Sequence, residues 1–572
     1  MEIKKHWYKE MAVYQIWPRS FKDGNGDGIG DLKGVLEKLD YIKYLGVDAI
    51  WFSPLYKSPQ CDYGYDIADY RDIAPEYGTM DDFKAVLDGC KERGIKVIMD
   101  LVVNHTSNMH KWFLESRKGG DDNPYKDYYI WREGKGKDGK KYPNNWMASF
   151  PGPAWEWDDE RGAYYLHLFA VEQPDLNMDN PKVRQEVVDI MKFWLDLGVD
   201  GFREDVITYI SKEEGLPDGC PLSPVARGTT HYTCGPHLHE YLQQFKREAL
   251  DKYDCMTVGE APMMTPELAL QFISEGDKQD LSMMFNFQHM GADCIINASV
   301  PTGFKLKRLK KVLSNWQKKM YGVAWNANYL ENHDQPRVIS RYGSERYRFE
   351  SGKMLANMYI FLSGTPFIYQ GQEIGMTNIG LKNLADYVDV ATFTTYDLMR
   401  KLGVPHKRAM KMIAYGSRDN ARTPVQWANA KNAGFTTADR PWFIINKNFT
   451  EVNVEDQLND ENSLLNYYKQ LLKLRKENEI IIYGDYKEHY KNSKKLYVYE
   501  RNYNGRRLLV IASFTDKSVR FNAPSDFDLN KGELLISNYP DCGLVSNGFV
   551  TRPYEVRSYL FHVPVGNLIQ ES

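Results

Sequence analysis

The sequence predicts an α/β protein, a (β/α)8 barrel of the TIM type with an inserted subdomain after its third strand and an antiparallel β-sandwich at its C-terminus. Three observations carry this. Strand-like and helix-like runs alternate through residue 480, the pattern of parallel βαβ units. Residues 106–173 interrupt the alternation with a stretch rich in Lys, Gly, Asn, Trp and Tyr. Beyond 480 the pattern changes to short strands separated by turn residues. The barrel is therefore assigned to 1–105 and 174–480, the inserted domain to 106–173 and the sandwich to 481–572.

In order, Ala12–Trp17 reads as the first strand, ended by Pro18. Residues 32–45 have helical periodicity, and Val47–Phe52 is the second strand, stopped by Ser53-Pro54. Phe83–Arg93 is a helix closed by Gly94, and Ile95–Val103 the third strand. Within the insertion, Ala163–Phe169 is strand-like. The fourth strand lies at Gly201–Val206 and the fifth ends at Thr257–Glu260. The sixth is expected at Ser282–Asn286, the seventh within Ala324–Asn332 and the eighth at Pro366–Tyr369. Leu464–Arg475 is a periodic helix, and Leu496–Glu500, Leu508–Ala512 and Ser558–Phe561 are sandwich strands.

The hydrophobic fraction of 42% and charged fraction of 26% are those of a soluble globular protein. A net charge of −4 with no basic block excludes nucleic acid and anionic membranes as partners. Seven scattered cysteines with no CxxC pair argue for reduced thiols in a cytoplasmic protein, not for a disulfide framework or a zinc site. No apolar leader follows Met1 and no window is long enough to span a membrane. The 13 Trp and 39 Tyr suit clefts that stack on sugar rings, although aromatic cores give the same count.

A candidate metal loop follows the first strand. In 23–31 oxygen side chains recur at alternate positions among four glycines. Asp23, Asn25, Asp27 and Asp31, with the Ile29 carbonyl, form the donor set of a hard cation, Ca2+ or Mg2+ in its place. A metal-free Gly/Asp turn is the alternative; the bidentate Glu of an EF-hand is absent, since position 34 is Gly.

The chemistry centres on Gly201-Phe202-Arg203-Glu204-Asp205-Val206. Alternation places Arg203 and Asp205 on one face of the strand and Glu204 on the other. The arginine is expected to lower the Asp205 pKa, giving the ionised carboxylate a glycosidic nucleophile requires; an internal ion pair is the bland alternative. Asn104-His105, Glu260 and His333-Asp334 fall at the ends of other predicted strands. In a barrel that rim is where active sites are built.

These segments carry a resemblance. Asp100–His105, Gly201–Asp205, Gly259-Glu260 and Glu331–Asp334 resemble the four signature regions of the α-amylase superfamily. Gln173–Asn177, Gly235-Pro236 with His239–Leu242, Tyr369–Asn378 and Ser417–Pro424 resemble its oligo-1,6-glucosidase and α-glucosidase branch. The resemblance covers nearly the whole chain. It implies retaining hydrolysis of α-glucosides, with a small oligosaccharide as partner, a monomer, structural Ca2+ at the Asp23 loop and no organic cofactor. Asp205 then resembles the nucleophile, Glu260 the general acid/base, whose pKa must be raised, and Asp334 the carboxylate that grips the sugar hydroxyls. His105 and His333 would bond the same glucose, and Arg203 would orient Asp205. Asp62 and Tyr65 resemble the pair that closes the non-reducing end, with Arg418 completing the dead end of exo-acting members. Phe169, Phe150 and Gln173 are rim candidates, and Val206 resembles the residue found in α-1,6-acting relatives.

Two positions depart from the pattern: Glu204, usually apolar, which needs a buried partner, and Gln372, often Glu. Alternatives are an α-1,4- or sucrose-cleaving α-glucosidase, a trehalose-6-phosphate hydrolase and a sucrose isomerase. The isomerase would carry an Arg-Leu-Asp-Arg-Asp loop where Phe304–Lys311 reads here as a helix start. A non-enzymatic transporter subunit would lack the carboxylates and carry a membrane helix.

Overall fold

A computed structural model describes residues 4–223, 226–295 and 300–562; residues 1–3 and 563–572, the latter assigned to the sandwich by sequence, lie outside the described residues. Eight parallel strands follow in chain order: β1 (Val13–Ile16), β2 (Ala49–Phe52), β3 (Lys96–Leu101), β4 (Gly201–Glu204), β5 (Met256–Glu260), β6 (Met283–Phe285), β7 (Ala327–Asn328) and β8 (Thr365–Tyr369). They pair in the order β6-β5-β4-β3-β2-β1-β8-β7. A parallel bridge from Met284 to Asn326 joins the two ends and closes the barrel.

Alternation explains how the barrel is filled. Val13, Ala49, Ile98, Val258, Met283, Ala327 and Phe367 share one apolar cluster inside it. Tyr14, Ile16, Ile50, Val97 and Phe202 join the larger core outside the sheet, under the helices. One step of two residues further along, the inward positions turn polar: Gln15 after Val13, Asp100 after Ile98, Arg203 after Gly201, Glu260 after Val258. An apolar plug thus carries a polar layer at the strands' C-terminal ends. Gly201 permits the close pairing of β4 with β5, because a Cβ there would meet the Met256 carbonyl oxygen at 2.2 Å.

Some elements differ from expectation. Residues 32–45 form two helices, Leu32–Glu37 and Leu39–Leu45. The Lys38 N–H bonds to Val35 only three residues back, which tightens the turn and re-aims the chain. Strand β7 falls inside the expected window, and beyond Asn328 the chain leaves the ladder. The basic stretch read as a helix start is one, Leu306–Met320.

In the insertion, Ala163–Leu166 pairs antiparallel with Trp131–Arg132 and Trp155–Asp158. Bridges from His105 to Asp175 and from Tyr129 to Leu176 tie it to the barrel. Its core of Trp146, Trp155 and Leu166 is shared with Val206, Tyr209 and Leu216, which follow β4. The C-terminal region is a five-stranded antiparallel sheet, including Leu496–Tyr503, Arg506–Ser513 and Val556–His562, covered by a two-stranded one. Leu496, Val498, Leu509 and Ile511 pack on Phe521 and Phe549 between the sheets. Tyr497, Tyr499 and Val510, on the other face, join the barrel's core. No helix among the described residues is long and apolar enough to cross a membrane.

Candidate active site

The polar layer is organised by one guanidinium. Arg203, fully buried, donates through Nη1 to Asp100 Oδ1 at 2.8 Å and to Asp205 Oδ1 at 2.7 Å, and through Nη2 to Glu260 Oε2. The Asp205 N–H donates to the Leu101 carbonyl at 2.9 Å, fixing the chain as it leaves β4. Val206 then takes φ 35° and ψ 39°, a conformation a β-branched residue rarely adopts, and aims its N–H at Glu260 Oε2 at 3.4 Å.

The expectation that Arg203 lowers the Asp205 pKa is corrected. Burial raises it well above the usual range; Arg203 opposes this, while Glu260 and Asp100 push it higher. Behind the burial lies shared charge: three carboxylates divide one cation, which favours the protonated form of Asp205. Asp100 is itself raised to about 6, by burial against the pull of Arg203.

A second group lies at the rim. Asp334 Oδ1 accepts from Arg418 Nη1 at 3.2 Å and Arg422 Nη2 at 2.8 Å, and His333 Nε2 lies 3.2 Å from Oδ2. Burial works against the Asp334 charge, but His333, Arg418 and Arg422 outweigh it and hold the carboxyl well below its ordinary range. Arg418 also donates to Asp62 Oδ1 at 2.9 Å and Asp389 Oδ1 at 2.5 Å. Its guanidinium lies 4.9 Å from the Phe150 ring. Gln60 and Tyr63, both at positive φ, flank Asp62.

Tyr65 stacks on His333, with ring centroids 5.3 Å apart. His105 is buried, which lowers its pKa to about 4, and its ring meets Phe169 at 5.0 Å. Phe169 in turn meets Phe150 at 5.7 Å. Gln173 is not a rim residue. It is fully buried behind His105 and Asp62, with its Nε2 3.3 Å from His105 Nε2 and from Asp62 Oδ2.

The arrangement is three carboxylates on one guanidinium, linked through Tyr65 and His333 to a fourth, Asp334, that two more arginines hold. The sequence from residue 15 to 484 matches the family described as alpha amylase, catalytic domain. The chain belongs to the α-amylase family. It is 50% identical over 573 residues to the oligo-1,6-glucosidase of Parageobacillus thermoglucosidasius, covering 98% of this chain and 100% of the relative. The structure of Bacillus licheniformis trehalose-6-phosphate hydrolase is similar at TM-score 0.91 and 45% identity, over 98% of this chain and 100% of that one. The isomaltulose synthase of Protaminobacter rubrum is similar at TM-score 0.93 and 37% identity, over 98% and 100%.

In this α-amylase family glycoside hydrolase, Asp205, Glu260 and Arg203 form one bonded cluster and Asp334, His333, Tyr65, Asp62 and Arg418 another, while Gln173 lies buried behind them. Sequence reasoning missed Asp389 and gave no role to Arg422 or Asp100. Arg422 lies in a quoted motif, whereas Asp389 caps the helix Val390–Lys401 in a stretch with no strand signal. Gln372 is structural: its amide bonds Tyr468 Oη at 3.0 Å and Tyr359 Oη at 3.3 Å. Glu204 faces the helix layer as expected, but without a cation partner; one carboxyl oxygen bonds nothing among the described residues, and burial, with Asp280 nearby, raises its pKa to about 8.

The Asp23 loop curls on itself. Asp23 accepts from the N–H of Gly26 at 2.6 Å and Gly28 at 2.7 Å and from the Thr436 hydroxyl. Asp31 accepts from Gly24, Asn25 and Gly34, the last as helix cap. Among the described residues no group of three or more acidic, His or Cys side chains is placed to hold a metal. The donors still fit a hard cation in chemistry. All are oxygens, carboxylates keep lone pairs after accepting N–H bonds, and burial, with Asp23 nearby, raises the pKa of Asp31.

Proposed function

We propose that the chain is an exo-acting, retaining α-glucosidase. It releases glucose from the non-reducing end of short α-glucosides and prefers α-1,6 links, as in isomaltose, isomalto-oligosaccharides and panose. The observation that carries the retaining reading is Arg203, which holds Asp205 and Glu260 on adjacent nitrogens of one guanidinium. That spacing suits a nucleophile and an acid/base. The two carboxyls also come within side-chain hydrogen-bond reach of each other, nearer than the roughly 6.5–9.5 Å across which an inverting pair accommodates its water.

In the first step Glu260 gives its proton to the departing glycosidic oxygen while Asp205 attacks C1; the C1–O bond breaks and a glucosyl ester forms. Water then attacks C1, Glu260 takes its proton, and Asp205 leaves. Two inversions return the α configuration. Asp334, kept anionic by its arginines, grips two sugar hydroxyls and favours the oxocarbenium-like transition state. Arg418 and Asp62 block the pocket beyond the non-reducing sugar, so cleavage removes one terminal glucose at a time. His105, Phe169 and Tyr65 line the same sugar.

Val206 carries the linkage preference: its N–H lies 3.4 Å from Glu260 Oε2, next to the acid/base, and its branched side chain shapes the inserted-domain wall past which a 1,6-linked aglycone leaves. The name of the 50%-identical relative supports the same reading. Similarity to a trehalose-6-phosphate hydrolase and an isomaltulose synthase keeps those activities as the alternatives. The helix Leu306–Met320, standing where an isomerase would carry its arginine-rich loop, favours hydrolysis.

The Asp23 loop would hold a structural Ca2+ through Asp23, Asn25, Asp27, Asp31 and the Ile29 carbonyl; when bound it neutralises the loop's buried charge and takes no part in the chemistry. The number and scatter of the seven cysteines, with no CxxC pair, suit a reducing, cytoplasmic setting, and a monomer suffices for the site. A panel of isomaltose, panose, maltose, sucrose, trehalose and trehalose 6-phosphate tests the function. Isomaltose should be cleaved with α-glucose as the first product seen by NMR. Early β-glucose would overturn the retaining mechanism, and preference for trehalose 6-phosphate would overturn the substrate.

A further inference from the structure

His333 is fixed in plane by its neighbours. The Trp17 ring stacks on it 5.2 Å away at 21°, and the Tyr65 ring lies nearly parallel and offset, 5.3 Å away at 6°, with its hydroxyl at the edge of the imidazole. A ring packed on a face by Trp17 and bonded at both nitrogens is held in place, so the partners on its edges decide which nitrogen carries the proton. On one edge, Gln15 Nε2 lies 2.7 Å from Nδ1 and also donates to the Ser53 hydroxyl at 3.2 Å. On the other, Nε2 is 2.7 Å from the Tyr65 phenol and 3.2 Å from Asp334 Oδ2.

The far side of the chain is equally constrained. Tyr65 Oη donates to Asp100 Oδ2 at 3.1 Å. Asp100 is in turn bonded twice by Arg203, the residue that holds Asp205 and Glu260. Burial and Asp100 raise the Tyr65 pKa well above its ordinary value, so the phenol keeps its proton and spends it on Asp100. Its oxygen must then accept from His333. Gln15 donating to Nδ1 and Tyr65 accepting from Nε2 require the same form of the ring.

We propose that Gln15 is a positioning residue that fixes His333 as the neutral Nε2–H tautomer. The imidazole thereby presents a donor to Asp334, and to the sugar hydroxyl that Asp334 shares with it, instead of a lone pair. Gln15 touches no substrate; it sits below the site on β1, 1% exposed, and acts through the ring above it. A lone pair at Nε2 would face the Asp334 carboxylate and the Tyr65 oxygen, and each contact would turn from bond to repulsion. The consequence for catalysis rests on the glycosidase reading, whereas the tautomer does not.

Nitrogen-15 NMR of the full-length protein labelled at histidine reads the tautomer directly, with His333→Gln identifying the resonances. Wild type should show a protonated Nε2 and a bare Nδ1 between pH 6 and 8. Gln15→Glu offers an acceptor only. It should move the proton to Nδ1 or create an imidazolium, shift the pH profile of kcat/KM, and lower kcat/KM roughly 10–100-fold, the range seen when the partner orienting a functional imidazole is lost. Gln15→Met keeps the shape without a donor and should leave the ring as a mixture of tautomers. A wild-type ring protonated at Nδ1 overturns the proposal whether or not either variant folds. So does an unchanged tautomer in both variants. A correct tautomer in a protein that cleaves no α-glucoside would leave the assignment standing and refute the glycosidase reading instead.

Discussion

Arg203 Nη1 donates to Asp205 Oδ1 across 2.7 Å, from two residues earlier on the same strand end. The contact aims the carboxylate while leaving its second oxygen free of that bond. Asp205→Asn keeps the shape but removes the nucleophile, so turnover should fall by several orders of magnitude. Glu260→Gln should recover in part, in its glycosylation step, on aryl glucosides whose leaving groups need no proton. Equal losses on activated and natural substrates would remove Glu260 from the acid role.

Arg418 bridges Asp62, Asp334 and Asp389. A lysine keeps the charge but not the fork, and cannot serve three carboxylates at once. Arg418→Lys should therefore raise KM for isomaltose, and Arg418→Ala should raise it further by leaving buried Asp62 and Asp389 without their main partner. Steady-state kinetics on the two variants, with melting curves to show that they fold, check this. An unchanged KM in the alanine variant would remove Arg418 from the sugar pocket.

Much of this was legible in the chain itself, for identifiable reasons. The barrel strands are short apolar runs between helices, and Asn104, Asp205 and Glu260 mark their ends. The seventh strand could be placed only within a nine-residue window, because apolar residues such as Leu330 continue past Asn328 for reasons of core packing. The Asp205 pKa was misjudged because sequence shows that Arg203 is near but not that Asp100 and Glu260 draw on it too. Asp389 was invisible because its partner Arg418 comes 29 residues later and only the fold brings them together.

Glu204 makes stability pH-dependent. Its folded pKa, about 8, stands above the ordinary 4.5, so folding takes up a proton there. The contribution is fully present below the ordinary value and is lost as pH rises through 8. Glu204→Gln carries the same shape without the charge. Its melting temperature should gain on wild type progressively from pH 5 to pH 8, in calorimetry at constant ionic strength. A gap that stays flat, or closes, over that range would show that Glu204 does not hold the proton.

Chelation tests the Asp23 loop. Removing Ca2+ should lower the melting temperature by several degrees, while kcat at 25 °C, on the still-folded protein, should stay near its starting value. Asp23→Ala should abolish the difference between chelated and Ca2+-supplied samples. Superimposable melting curves in wild type, with and without chelator, would leave the loop as a self-bonded turn.

Linkage choice is the most direct test of the account. Val206 is held beside Glu260 in a strained left-handed conformation and packs with the inserted domain. One apolar contact of this kind is worth about 1–3 kcal/mol, or roughly 10–200-fold in kcat/KM. Measured in parallel, kcat/KM for isomaltose should exceed that for maltose by a factor in this range. Val206→Thr, which keeps the branch but adds a hydroxyl, should narrow or invert the ratio. A wild-type preference for maltose, or a ratio that Val206→Thr leaves unmoved, would contradict the account.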